Sequence, residues 1–142
     1  MSTRFGFDTG TTHVGMAQIE PIHNTAKLWQ ITMHRIANTM SRILAIQEIL
    51  KNCDLYFPAK FDVIIEGSAY SKAFRQSELA EIRTSAALYF ERYGGQCYFV
   101  APNSIRKQVL GNGRKKAHEF WQSEIGPDAL AALACAYYVK EK

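Results

Sequence analysis

The chain has 142 residues, of which 47% are hydrophobic and 21% charged, and its formal net charge is +4. This composition is typical of a globular protein that can bury a core, and it excludes an intrinsically disordered chain; we expect one domain over residues 1–142. The cysteines (Cys53, Cys97 and Cys135) form no C-x-x-C pair, so no zinc site or disulfide framework is predicted. The longest apolar run, Ala129 to Val139, is too short for a bilayer and no signal peptide is recognisable. We therefore expect a cytoplasmic protein with no membrane partner.

The first part of the chain predicts a β-meander. Arg4–Asp8 has the composition of a short strand, and a turn with Gly10 follows it. Val14–Glu20 alternates as a second strand does. After turn residues that include Pro21, a third strand is predicted over Ala26–Met33.

The middle of the chain alternates helices with apolar strands. Asn38 or Thr39 can cap a helix through Asn52, since apolar residues recur on a helical stripe: Ile43, Leu44, Ile46 and Leu50. Phe61–Ile65 predicts a buried strand that ends at Glu66. A helix is predicted over Ser77–Tyr93, with a stop at Gly94 and with inward residues Leu79, Ile82, Ala86 and Tyr89 or Phe90.

The last part predicts a further strand and three helices. Cys97–Ala101 is the strand, and Asn103 or Ser104 caps a short helix that ends near Gly111. A helix over Lys115–Gln122 and a final one over Pro127–Lys140 follow. The order predicts an α/β fold with a mixed five-stranded sheet, three antiparallel strands and then two parallel ones, flanked by helices.

Three carboxylates occur where acids are unusual. Asp8 lies in an apolar strand, Glu66 ends another, and Asp128 opens the small-residue helix. Parallel neighbouring strands would bring the first two to the same sheet edge. Carboxylate oxygens suit Mg²⁺ or Mn²⁺, and two such ions about 3.5–4 Å apart can hydrolyse a phosphodiester.

Each acid also has an ordinary structural explanation. Asp128 suits the positive end of a helix dipole, Glu66 can face solvent at a strand end, and Asp8 can bond its own turn. The three together favour the metal-binding interpretation, because a chance coincidence of all three is the less economical explanation.

Short motifs connect this pattern to a known family, and they occur in the family's order: Phe5–Gly10 with Gly15, Val63–Gly67, Ser77–Arg83, Val100–Lys107 with Gly111–Lys116, and Asp128–Ala131. Over nearly its whole length the sequence resembles the RuvC family of Holliday junction resolvases, which belongs to the RNase H-like superfamily. The resemblance implies an RNase H-like fold, a homodimer, and Mg²⁺-dependent symmetric nicking of four-way DNA junctions. It assigns the catalytic and metal-binding acids to Asp8, Glu66 and Asp128, with two Mg²⁺ ions that Mn²⁺ can replace.

The sequence departs from the family in two places. The family usually has an acid or histidine one helical turn before the last aspartate, and Ile125 stands there. Glu124 is our candidate for the fourth catalytic and metal-binding residue, with His118 and Glu119 as alternatives. The segment before Pro127 is also shorter than usual, as in compact phage members, and we expect a phage or prophage origin.

Cations and aromatic residues form a second predicted site for DNA. Acidic residues are absent from Asn103 to Ala117, where phosphate contacts are assigned to Arg106, Lys107, Arg114, Lys115 and Lys116. The segment after Glu66 interleaves Tyr70, Lys72, Phe74 and Arg75, and either aromatic ring can stack on a splayed base or pack into the core. Each cation can equally be a solvated surface charge.

Three other functions remain open. Asp8 to Thr12 also resembles the phosphate loop of actin- and hexokinase-type ATPases, but a second such loop and lobe are absent from 142 residues. A related nuclease could act on flaps, branched DNA or RNA–DNA hybrids. A junction-binding module without catalysis is the third, and the three acids argue against it.

Overall fold

The computed structural model describes residues 3–33, 38–67, 76–114, 116–121 and 124–139. The strands are β1 (Arg4–Asp8), β2 (His13–Glu20), β3 (Thr25–Thr32), β4 (Phe61–Glu66) and β5 (Gly95–Val100). The helices are α1 (Thr39–Asn52), α2 (Gln76–Arg92), α3 (Pro102–Leu110), α4 (Ala117–Phe120) and α5 (Pro127–Tyr137). Among the helices of these residues, none combines the length and apolar character needed to cross a membrane.

The strands form one mixed sheet in the order β3-β2-β1-β4-β5. The first three strands pair antiparallel, and β4 pairs parallel with both β1 and β5. The predicted architecture is therefore confirmed. Because β1 and β4 are adjacent and parallel, their carboxyl ends meet at one edge of the sheet.

Alternation along the strands separates two apolar layers. On one face, Phe5 and Phe7 pack with residues of α1 and α2, and the Phe5 ring lies 5.0 Å from that of Phe61 and 5.3 Å from that of Phe90. The other face is covered mainly by α5, with Ile64 and Leu130 in its core. This second layer carries the residues of the candidate site.

Small residues let α5 lie directly on the sheet. A Cβ at Gly6 would overlap with the Ala132 carbonyl oxygen, and a Cβ at Gly15 would overlap with that of Asp128. Ala129, Ala132 and Ala136 of α5 approach these glycines and are buried. The beginning of α5 is thus held against β1 and β2.

Several predicted details need correction. Leu44 is 60% exposed although the sequence pattern assigned it to the buried stripe of α1, because Ile46 and Leu50 occupy the core-facing side. Helix α3 begins at Pro102, whose fixed φ suits a first helical position, and Ala101 is its N-cap without a side-chain bond. Helix α4 is shorter than predicted, and α5 ends at Tyr137 rather than Lys140. The predicted cap of α1 is confirmed, since the Asn38 side chain accepts a hydrogen bond from the Ser41 N–H at 3.1 Å.

Candidate active site

Asp8 and Glu66 meet at the carboxyl edge of the parallel strand pair. The register pairs Phe7 with Ile65, so the acid that follows on each strand emerges beside the other. The Thr9 hydroxyl donates to the Glu66 carbonyl oxygen at 3.1 Å, which ties the end of β1 to the end of β4. Two acids separated widely in sequence therefore lie side by side.

Asp128 reaches the same place from the first turn of α5. Gly126 is the N-cap and Pro127 the first helical residue, so the helix begins directly above the sheet. Gly15 pairs with Asp8 across β1 and β2, and its missing side chain leaves room for the Asp128 backbone. The helix start is thereby placed over Asp8.

Asp8 is the centre of this acidic cluster (Asp8, Glu66 and Asp128). Its side chain is buried, and both Glu66 and Asp128 lie within hydrogen-bonding reach of its carboxyl group. Burial, and then the neighbouring charges of Glu66 and Asp128, raise the pKa of Asp8 well above its usual value. Three acids so close together need a proton or a cation between them.

The pKa values of Cys135 and Arg83, near the cluster, are also shifted. Cys135 is fully buried, and burial, with the charges of Glu66 and Asp8 in addition, raises the pKa of its thiol. Burial lowers the pKa of Arg83, although the charge of Glu66 acts in the opposite direction. Among the residues that the structure describes, the buried Arg83 Nε has no hydrogen-bond partner, and this guanidinium of α2 lies within electrostatic range of Glu66.

Gln30 makes a contact with Asp128 that the sequence did not predict. Its side-chain N–H donates to Asp128 Oδ2 at 2.6 Å, and its Oε1 accepts from the Ala129 N–H at 2.8 Å. The only available signal was alternation in β3, which puts Gln30 on the face opposite Trp29 and Ile31. A polar side chain on a covered face indicates a partner there, but not which one.

A cavity of about 280 Å³ opens beside the acids. Its wall brings together the acidic cluster, the cations Arg106 and Lys116, and His118 and Cys135. Apolar residues of α3 and α5, among them Ile105 and Leu110, complete it. The cavity thus combines three carboxylates with two cations in one lining, as a site for metal ions and a phosphate group would.

The donor chemistry of the cluster fits a hard divalent cation. Carboxylate oxygens of Glu66 and Asp128 lie beside that of Asp8, and the negative charges of these neighbours would stabilise a divalent cation there. Within the part of the chain that the structure describes, no group of three or more His, Cys, Asp or Glu side chains is arranged so that it could hold a metal ion. The carboxyls meet through Asp8, and one oxygen of Asp128 is bonded to Gln30 instead.

The structure places the candidates for a fourth metal ligand differently relative to the cavity. Glu124 is exposed and is not among the residues that line the cavity, whereas His118 lines it from α4. Ile125 packs against the apolar layer under α5. Glu124 stays a prediction, and of these two residues His118 is the one that lines the cavity.

The predicted DNA contacts are distributed unevenly. Arg106 lies half-buried in α3 and Lys116 is exposed before α4, both at the cavity, while Lys107 and Arg114 are exposed. The other five predicted contacts, Tyr70, Lys72, Phe74, Arg75 and Lys115, lie outside the described residues.

Comparison with solved structures identifies the class of fold. The mixed sheet with its helices is an RNase H-like fold, and it matches Thermus thermophilus RuvC with a TM-score of 0.60 at 18% identity, over 94% of this chain and 90% of that chain. A second match is T. thermophilus RuvC in complex with a Holliday junction substrate, with a TM-score of 0.60 at 15% identity, over 96% and 90% of the two chains. The protein therefore has the fold of RuvC. Protein-family models and curated proteins provide no match to the sequence.

Proposed function

We propose that the protein is a metal-dependent endonuclease that resolves four-way DNA junctions by symmetric nicking. The observation that supports this most is the convergence of Glu66 and Asp128 on a buried Asp8 with a raised pKa, at the sheet edge of a RuvC-like fold. The RuvC of the second structural match is bound to a Holliday junction. In this proposal, the protein acts on branched DNA in the cytoplasm of a bacterium or of a phage-infected host.

The acidic residues hold the catalytic metal in this proposal. Asp8, Glu66 and Asp128 would bind Mg²⁺, with Mn²⁺ as a substitute, through carboxylate oxygens. A metal ion held by these carboxylates would lower the pKa of an attacking water and would stabilise the leaving oxygen of the phosphodiester. Deprotonated Asp8 is the required state, because a neutral carboxyl is a poor ligand.

Cations at the cavity hold the scissile phosphate. Arg106 and Lys116 line the same cavity as the acids, so they can bind the phosphate that the acids act on. Lys107 and Arg114 lie on the same chain segment and extend the positive surface along the DNA backbone. In this proposal the carboxylates bind the metal and the cations bind the DNA phosphates, which explains why residues of both charges line the same cavity.

Cleavage of a labelled immobile junction tests the proposal. Duplex, flap and RNA–DNA hybrid substrates are compared in Mg²⁺, Mn²⁺ and EDTA. We expect paired, symmetric nicks in the junction with either metal and none in EDTA. Asp8→Asn should lower the cleavage rate at least about 1,000-fold and preserve junction binding, since it removes the central carboxylate and leaves Arg106 and Lys116 unchanged.

Asp54→Asn is the matched control, because that side chain is 98% exposed. It should cleave like the wild type. Preferential cutting of flaps or hybrids would indicate that the protein is a related nuclease with a different substrate, and not a junction resolvase. Tight junction binding without cleavage in either metal would indicate a binding module instead.

A further inference from the structure

One hydrogen-bonded residue of β3 connects two parts of the candidate site. The Gln30 amide bonds to the Asp128 carboxylate through its N–H and to the Ala129 N–H through its carbonyl. Only one orientation of the amide satisfies both partners, because the carboxylate requires a donor and the backbone N–H an acceptor. The side chain is therefore held at both ends.

The sheet register places Gln30 in line with the acids. Asp8 on β1 pairs with Gly15 on β2, and Gly15 pairs with Gln30 on β3. The beginning of α5 lies over Gly15, so Asp128 stands between Asp8 on one side and Gln30 on the other. A buried acid and a neutral donor thus contact the same carboxylate from opposite sides.

The turn before α5 is built around the same side chain. A Cβ at Gly126 would overlap with the Gln30 amide, which leaves that amide little room to move. Because the donor is fixed, it restricts rotation of the Asp128 carboxylate. Side chains that hold a metal ligand in this way tune the affinity of the site.

We propose that Gln30 is a positioning residue that orients the Asp128 carboxylate toward Asp8 and so sets the affinity of the acidic cluster for a divalent cation. This inference rests on the metal site of the proposed function. It adds a neutral residue from the edge strand β3 to the residues that would control metal binding by the acidic cluster. Its contact joins residues 98 positions apart.

Binding of Mn²⁺ alone, followed by electron paramagnetic resonance in the absence of DNA, tests the inference. Gln30→Met removes both hydrogen bonds and keeps the side-chain length. We expect it to weaken Mn²⁺ binding about 10-fold or more. Gln96→Met is the matched control, because Gln96 is an exposed glutamine on β5, the other edge strand, and this variant should bind Mn²⁺ like the wild type.

A double-mutant cycle separates positioning from a general structural effect. If Gln30 acts through Asp128, Gln30→Met should weaken Mn²⁺ binding less than about twofold in an Asp128→Asn background. An equal loss in both backgrounds would overturn the proposal. So would wild-type Mn²⁺ affinity in Gln30→Met with only a lower melting temperature, since Gln30 would then simply cap α5.

Circular dichroism establishes that each variant is folded. If Gln30→Met does not fold, Gln30→Ala replaces it, because the smaller side chain admits water to the vacated space and the same weakening is expected. A protein that binds Mn²⁺ in a Gln30-dependent way but cuts no DNA would preserve this inference and overturn the nuclease function. A wild-type protein that binds no Mn²⁺ would overturn the inference itself.

Discussion

Asp8 is a residue whose environment opposes its own charge. Burial removes it from water, and two further acids lie within hydrogen-bonding reach. The raised pKa means that its ionised form is less stable in the folded protein than in the unfolded chain. Without a cation, ionised Asp8 therefore destabilises the fold, as is common where a site is organised for binding.

Asp8→Asn should raise the melting temperature in EDTA at pH 7–8 by about 3 °C or more. The folded pKa of Asp8 exceeds its unfolded value, so its stabilising contribution is complete below the ordinary pKa of 3.8 and is lost as pH rises through the folded pKa. The neutral amide does not incur that loss.

Scanning calorimetry between pH 4 and 8 measures the effect. The advantage of Asp8→Asn should shrink toward pH 4, where wild-type Asp8 is protonated, and Asp54→Asn should have no such trend. A variant that is less stable than the wild type at pH 8 in EDTA would contradict this account of the acidic cluster.

The contact between α5 and the sheet is the element on which the site depends. Gly6 and Gly15 admit the helix backbone because neither has a side chain. Arg4 strengthens the far end of this contact, as its guanidinium donates to the carbonyl oxygens of Ala136 and Tyr138. The position of Asp128 is therefore a result of close helix–sheet packing.

Gly15→Ala should destabilise the protein by about 3 kcal/mol or more, because the new methyl would overlap with backbone atoms of Asp128 that cannot turn aside. Urea unfolding measures the loss. Gly113→Ala is the control: its Cβ would have only ordinary contacts, with Asn103, and a change below about 1 kcal/mol is expected. Equal stabilities of the two variants would mean that α5 does not lie this close to the sheet.

At the scale of the molecule, the symmetric nicking that we propose would require two active sites. Exposed apolar residues on α1 and α2 are our candidate for the surface that a second copy would contact. Met40 and Leu44 on α1 and Leu88 on α2 are 62%, 60% and 56% exposed. A groove of about 250 Å³ runs between the helices, with Ile43 and Leu88 in its lining. Exposed apolar side chains that lie together can mark a protein–protein interface.

If the expected homodimer forms through this surface, Leu88→Arg should convert it into a monomer, because the substitution puts a charge into the apolar contact. Light scattering coupled to size-exclusion chromatography measures the mass. Ile22→Arg is the control, since Ile22 is 84% exposed in the turn between β2 and β3. A dimer that persists in Leu88→Arg would show that the interface lies elsewhere. A monomeric wild type would contradict the expectation of a homodimer.

Local patterns were sufficient to predict most elements and the three acids. Alternation in β2 and the apolar runs of β1 and β4 depend on residues close together in sequence, as does the cap at Asn38. Their strand and helix order then constrained the sheet, because parallel neighbours bring Asp8 and Glu66 to one edge. The exposed side of α1 at Leu44 was mispredicted, since periodicity does not decide which of two apolar stripes faces the core.

What the sequence by itself determined was the set of elements, their order, and the acids that end or open them, because these depend on neighbours within a few residues. Only the tertiary structure decided how the acids meet, why the pKa of Asp8 rises, and that Gln30 bonds to Asp128. It also placed His118 at the cavity and Glu124 away from it. Such contacts depend on the distance between the beginning of α5 and the strands below it. That distance is set by packing of the helix against the sheet. The absence of a side chain at Gly15 determines it as much as the side chains that are present.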